Sequence, residues 1–160
     1  MAWRVRGATD RDVPRVAAAA HELLHELGAT PPSAEALQST ARALLANPIG
    51  GAVLVAEAGP TPREPSGALV GVLGLSWQTA LHAAGPYALI QDLWVHPGWR
   101  GRGVGGGLLA ALDALARERG VTRVEVGLPR ETFAGLPETE AFYSAQGFAP
   151  VGTRMRRPVP

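Results

Sequence analysis

Residues 100–107 read Arg100-Gly101-Arg102-Gly103-Val104-Gly105-Gly106-Gly107, five glycines in eight positions, and a helical pattern begins inside the run. The first N–H groups of a helix have no intrahelical partner, and its dipole is positive at that end. Such a run therefore suits a phosphate or pyrophosphate anion. Glycine matters because a Cβ would keep ligand oxygens away from those N–H groups. Two other spacings suggest chemistry. Gly101-x-Gly103-x-x-Gly106 satisfies the dinucleotide fingerprint of NAD-binding oxidoreductases, with Glu125 near the distance of a ribose-binding acid. In that motif the first glycine follows its strand almost directly, whereas residues 96–100 intervene here and too little chain follows to build the remaining strands. Glu125 is expected inside a strand, facing solvent or the edge of a pocket. His21-Glu22-Leu23-Leu24-His25 reads as the H-E-x-x-H of zinc hydrolases. The longer metalloprotease form would need histidine at position 31, which is Pro31, and the motif comes too early for an upstream substrate-binding sheet. His21, Glu22, His25 and Glu26 are expected on exposed helix surface or at the edge of an acceptor pocket, and no metal site is assigned.

Composition narrows the classes further. All fifteen basic residues are arginine, so a Walker P-loop, which needs its lysine, is excluded. There is no cysteine, hence no disulfide framework, thiolate nucleophile or cysteine-held metal. Net charge is +1 and the arginines are scattered, so nothing favours nucleic acid or an anionic membrane as partner. With 46% apolar and 18% charged residues, the 160-residue chain is expected to form a single domain spanning 1–160. Residues 1–10 lack an apolar signal core, the longest apolar runs are too short to span a bilayer, and a cytoplasmic location is expected.

The elements that must position the glycine run follow from periodicity and punctuation. Residues 3–6 alternate like a strand, and Thr9 or Asp10 offers an N-cap to a helix running to Leu27 and ended by Gly28. Its apolar stripe is Val13, Val16, Ala17, Ala20, Leu24 and Leu27. A second helix spans 33–46 and closes at Asn47-Pro48. Apolar runs at 52–57 and 68–77 flank a Gly/Pro-rich hairpin loop, and 87–95 forms another strand. A helix over 104–119, a strand at 123–128, a short helix at 138–146 and a last strand or pair of short strands over 148–156 complete an α+β fold with a mixed sheet.

Three segments together carry a family resemblance. Arg100-x-x-Gly103-x-Gly105 resembles the Q/R-x-x-G-x-G/A acetyl-CoA signature of the GCN5-related N-acetyltransferases. Leu89-Ile90-Gln91-Asp92-Leu93-Trp94-Val95 resembles that family's fourth strand, and Ala141-Phe142-Tyr143-Ser144-Ala145-Gln146-Gly147-Phe148 its FYxxxGF segment. The resemblance implies a three-layer α/β/α fold around a mixed, mostly antiparallel sheet whose strands 4 and 5 splay apart to admit the pantetheine chain. It puts Leu93, Trp94 and Val95 beside pantetheine and thioester, and Arg100, Gly101, Arg102, Gly103, Val104, Gly105 and Gly106 around the pyrophosphate. Acetyl-CoA is then a co-substrate, with no metal, and the acceptor is a primary amine on a small molecule or peptide. Homodimers are common among the proteins it resembles.

The implied activity is N-acetyl transfer through a tetrahedral intermediate, and it makes two demands on side chains. An alkylammonium with pKa near 10 is only about 0.1% neutral at pH 7, so freeing the nucleophile costs roughly 4 kcal/mol unless a base takes the proton. Asp92, in the strand beside the thioester, is the candidate base or counter-ion, or a residue that only bonds backbone in a bulged strand; relatives often carry Glu-Asp where this chain has Gln91-Asp92. Tyr143 is the candidate general acid for the departing thiolate, or an aromatic anchor between Phe142 and Phe148. Trp77, Trp94 and Trp99 are candidate walls for the acceptor, or plain packing. The non-catalytic alternative is an acyl-CoA-binding sensor on the same fold.

Overall fold

The computed structural model describes residues 2–65, 67–152 and 154–159; Met1, Ser66, Thr153 and Pro160 lie outside the described residues. Five strands form one sheet in the order β1 (Trp3–Gly7), β2 (Gly51–Ala58), β3 (Ala68–Ala80), β4 (Gly85–Val95) and β5 (Val124–Val126). The first four pair antiparallel; β4 and β5 pair parallel. Helices α1 (Val13–Glu26) and α2 (Ala34–Leu45) cover one face, α3 (Val104–Glu118) covers the other, and α4 (Leu136–Ala145) follows β5. This is the expected α+β, three-layer arrangement. A sheet with one parallel pair also disposes of the doubly wound dinucleotide-binding reading.

Strand alternation divides the core. Val53 and Val55 of β2 meet Val13, Val16 and Ala19 of α1 and Ala41 of α2 on one side. Leu54, Ala56 and Ala58 meet Val104, Leu108, Leu109 and Leu112 of α3 on the other. Two glycines let α3 and its neighbours approach. A Cβ on Gly107 would lie 2.3 Å from Cη2 of Trp3, and one on Gly105 would lie 2.9 Å from Cζ of Phe142.

Helix boundaries follow local chemistry. Ser33 caps α2, its hydroxyl accepting the Ala36 N–H at 3.1 Å, and Gly28 leaves α1 in the left-handed region at φ 76°. The N-terminus of α1 differs from expectation. Residues Asp10–Asp12 form a 3-10 turn and the α-helix starts at Val13. The reason is Asp12, whose carboxylate turns back to accept the Thr9 N–H at 2.8 Å and so closes the tighter turn.

Asp12 also anchors β1 and β2 to α1. It is 1% exposed and accepts Arg6 through both oxygens, at 2.7 and 3.0 Å, and Arg15 at 3.0 Å, while Arg6 reaches on to Glu57 at 3.2 Å. The Arg6 guanidinium, with help from the Thr9 N–H, holds the Asp12 carboxyl well below the ordinary carboxylate range.

Two strand expectations need correction. The β3–β4 hairpin runs further than read, to Ala80 and Gly85, because antiparallel pairing continues through Gly85-Pro86 up to the turn. The strand expected over 148–156 is absent among the described residues there; Pro150 offers no N–H to a ladder and Gly152 sits at φ 130°. β5 is also shorter than expected, ending before Gly127.

Removing the Asp12 charge by Asp12→Asn leaves its two arginines short of a partner. The loss of stability in urea denaturation at pH 7 is expected at about 3 kcal/mol, the low end for a broken buried pair because Arg6 keeps Glu57. A depressed carboxyl stabilises above its unfolded pKa, so the gap between wild type and variant should narrow as pH falls below about 4. A gap independent of pH would refute this role.

Candidate active site

The site is assembled where β4 runs past its neighbour. β5 pairs only with Ala88, Leu89 and Ile90, and β4 continues through Val95. One backbone edge of residues 91–95 is therefore left without a strand partner. N–H direction alternates along a strand. His96 donates to Val70 on the β3 side at 2.9 Å, so the N–H groups of Leu93 and Val95 point to the open edge.

β4 also carries a bulge. Asp92 pairs with Gly74 and Ile90 with Leu75, so Gln91 is one residue too many. Its side-chain amide donates to Ser76 Oγ at 2.9 Å. The extra residue reverses the alternation. Ala88 and Ile90 face α3, and beyond the bulge Leu93 and Val95 still face α3, while Trp94 joins the α1/α2 core and Asp92 lines a cavity there.

That cavity, about 110 Å³, lies between α1, α2 and the sheet, and its walls are apolar apart from Asp92 and Thr40. Among the described residues nothing donates a hydrogen bond to Asp92. Burial pushes its carboxyl above the ordinary value. Trp94 is 6% exposed, and its indole N–H has no partner among the described residues.

At the far end of β4, after a 3-10 turn at Pro97–Trp99, the glycine run enters α3. Gly101 and Gly103 take φ of 73° and 82°, a region in which a Cβ is strained, and Gly103 is the N-cap with no side chain to offer. Gly107 is the residue whose N–H reaches the Gly103 carbonyl, at 2.9 Å. The N–H groups of Val104, Gly105 and Gly106 precede that first helical bond and are left for a ligand. Arg100 bends back: its Nε donates to the Val95 carbonyl at 3.0 Å, and its Nη2 bonds both carboxylate oxygens of Glu26 at 2.8 Å. Arg102 lies over the Trp99 ring at 5.2 Å.

α4 docks beside this end of β4. Phe142 covers Gly105, and Tyr143 is buried edge-to-face between Phe142 and Phe148 at 5.2 and 5.3 Å. Desolvation pushes its phenol up to about 12. The structure thus brings Asp92, residues 93–95, the glycine run and the Tyr143 helix to one strand. It separates the other candidates. His21, Glu22 and His25 are exposed on α1, and no group of three metal-ligating side chains converges among the described residues. Trp77 packs under Arg119 at 4.5 Å, and Glu125 lies within β5, so neither joins the site.

Three participants escaped the sequence reading. Glu26 was placed only on surface or at a pocket edge, with no link to Arg100. Phe142 explains Gly105 by packing as well as by anion access. The position of the β4 bulge has no marker in the sequence: a bulged strand enters only as a setting in which Asp92 bonds backbone, and Gln91 reads as an ordinary strand residue.

An unpaired carboxylate in an apolar cavity works against folding. A raised carboxyl pKa stabilises the folded state at low pH and costs stability as pH rises through it. Asp92→Asn should therefore melt higher than wild type at pH 7, and the difference should vanish near pH 3, where both side chains are neutral. A variant less stable than wild type at pH 7 would show Asp92 to be a structural group.

Comparison with known proteins follows the same lines. A model of the acetyltransferase (GNAT) family matches residues 20–148. No protein of curated function matches the chain. Among solved structures, a candidate acetyltransferase from Arthrobacter sp. FB24 is 30% identical, with 97% of this chain and 95% of that one covered at a TM-score of 0.74. A candidate acetyltransferase from Clostridium difficile 630 shares the fold at a TM-score of 0.78 and 16% identity, covering 100% and 99% of the two chains. An aminoglycoside acetyltransferase from an uncultured soil metagenomic sample shares it at 0.75 and 21% identity, with 100% of both covered. Matched by the family model over most of its length, and by a relative at 30% identity from end to end, the chain belongs to the acetyltransferase (GNAT) family.

Proposed function

We propose that residues 1–160 act as one acetyltransferase domain that moves the acetyl group of acetyl-CoA to a primary amine. The observation that carries this is the open edge of β4, which begins where the β5 ladder stops at Ile90 and ends at the unpaired N–H groups of the glycine run. A linear ligand with an amide-bearing arm and a pyrophosphate is complementary to such a track. The N–H groups of Leu93 and Val95 bond the arm, and those of Val104, Gly105 and Gly106 take the phosphate oxygens. Arg102 adds positive charge. Arg100 organises the turn from β4, its bridge to Glu26 being of the half-exposed kind worth only about 0–1 kcal/mol.

Acetyl-CoA supplies the activated acyl group. The reaction forms one C–N bond and breaks the C–S bond; the ammonium nitrogen loses two protons in all, one passing through the base to solvent and the other matched by the proton that the departing sulfur gains. Asp92, on the α1/α2 side of β4, holds the ammonium and takes its proton, directly or through water, with an affinity for protons that burial has raised toward usefulness. Tyr143 belongs to the helix packed against the α3 side and supplies a proton to the sulfur. Its phenol, pushed up to about 12, keeps that proton throughout the neutral range. Acceptor and acid thus approach the thioester from opposite sides of the strand.

Two experiments test the assignment. Gly103→Val and Gly105→Val are poor probes, because the first forces a branched side chain into φ 82° and the second strikes Phe142. Gly101→Asp is better: its Cβ meets nothing within 4 Å, aspartate tolerates the left-handed region, and the new negative charge sits in the glycine run two residues before the N-cap Gly103. Calorimetric titration should show at least a tenfold loss of coenzyme A affinity with the fold retained; unchanged affinity overturns the loop assignment. Tyr143→Phe keeps the ring packed and removes the hydroxyl. Its kcat should fall about 10²- to 10⁴-fold with coenzyme affinity and melting temperature little changed. A kcat within about twofold of wild type, well short of that range, makes Tyr143 an aromatic anchor only. Coenzyme binding without turnover on any amine would identify the sensor alternative.

A further inference from the structure

Among the described residues, Asp92 is the one ionisable group lining the cavity between α1, α2 and the sheet. The remaining wall is hydrocarbon: Val16, Ala20 and Leu24 from α1, Leu37 and Ala41 from α2, and the buried ring of Trp94. Thr40, the other polar side chain there, already donates its hydroxyl to the Ala36 carbonyl at 2.9 Å. Thr40 and Leu44, both on its wall, are exposed. Its volume, about 110 Å³, is somewhat below the roughly 150 Å³ of an engineered apolar cavity that holds one benzene molecule.

We propose that this cavity is the acceptor subsite and that it selects a singly charged primary amine carried on a compact apolar group, a branched alkyl chain or one aromatic ring, with Asp92 holding the ammonium. The proposal rests on the acetyl-transfer reading and gives it a substrate class. One carboxylate answers one ammonium inside the cavity, and a second cation held there would find no counter-ion; a further carboxylate on the α1/α2 side, Glu22, lines the separate pocket beyond Ala17 and Leu37. Sugar hydroxyls would lose their water to walls that return no hydrogen bond, which disfavours hydroxylated amines. The apolar body gains what the hydroxyls lose, because it covers hydrocarbon that is otherwise wet. Asp92 is within reach because Gln91, the extra residue of the bulge, has turned the strand by one position.

The test is calorimetric titration of the full chain with 2-phenylethylamine, with the neutral 2-phenylethanol and with glucosamine. The amine is expected to bind at least tenfold tighter than either comparator. Asp92→Asn should remove that advantage over the alcohol. Ala20→Phe, which fills the cavity and leaves the carboxylate in place, should abolish binding of both aromatic ligands, with circular dichroism confirming that each variant is folded. Glucosamine binding more tightly than 2-phenylethylamine, or an amine affinity unchanged in Asp92→Asn, overturns the proposal. Thiol release from acetyl-CoA separates this outcome from failure of the underlying reading. Cavity binding of 2-phenylethylamine with no thiol released on any amine leaves the subsite standing and removes acetyl transfer. Thiol release with glucosamine and none with 2-phenylethylamine does the reverse.

Discussion

One surplus residue in β4 governs the geometry of the whole site. Were Gln91 paired in register instead of bulged, the simple alternation would carry Asp92 after Ala88 and Ile90 into the hydrocarbon packed under α3. An ionised carboxylate there would have neither water nor a partner. With the extra residue, the same strand presents a carboxylate and an indole to the α1/α2 side while Leu93 and Val95 continue to seal the α3 core. The early end of β5 completes the arrangement, because it frees the edge of these same residues. One strand thus offers an edge to one ligand and a face to another, and the proposed reaction takes place where the two meet.

Two aspartates, Asp12 buried and Asp92 half-buried, show how environment assigns roles to one chemistry. Asp12 is enclosed more completely than Asp92, yet its proton affinity is lowered, since two guanidiniums and the Thr9 N–H are bonded to it. Asp92 meets only apolar wall and its proton affinity is raised. The first is a fastening between strand and helix. The second is a liability to the fold, the kind of group that proteins keep at sites where chemistry is done.

Much of this was legible from residue order. The cap at Ser33, the stops at Gly28 and Gly120, the hairpin and the glycine run all rest on local chemistry that a sequence displays directly. The site strand was placed correctly because its apolar run stands just before those glycines. What could not be read depends on contacts distant along the chain. Gly107 is small because Trp3 lies against it, and Gly105 because Phe142 does, so a run that looked devoted to anion binding also serves packing. Arg100 meets Glu26 across 74 residues. The tail after Phe148 has apolar residues in strand-like number, but Pro150 brings no N–H to a ladder and Gly152 sits at φ 130°, away from extended backbone.

The framework of ion pairs is built entirely from guanidinium groups, Arg4, Arg6, Arg15 and Arg100 among them, with no lysine anywhere in the sequence. For the proposed amine acylation this has a consequence beyond electrostatics. Guanidinium does not give up its proton near neutrality and so presents no free nitrogen nucleophile, whereas a lysine side chain is a ready target of acetylation. Charge is thus carried by groups inert to the donor the protein would handle. Side-chain self-modification, with the progressive loss of surface charge that it brings, has no ε-amine on which to begin.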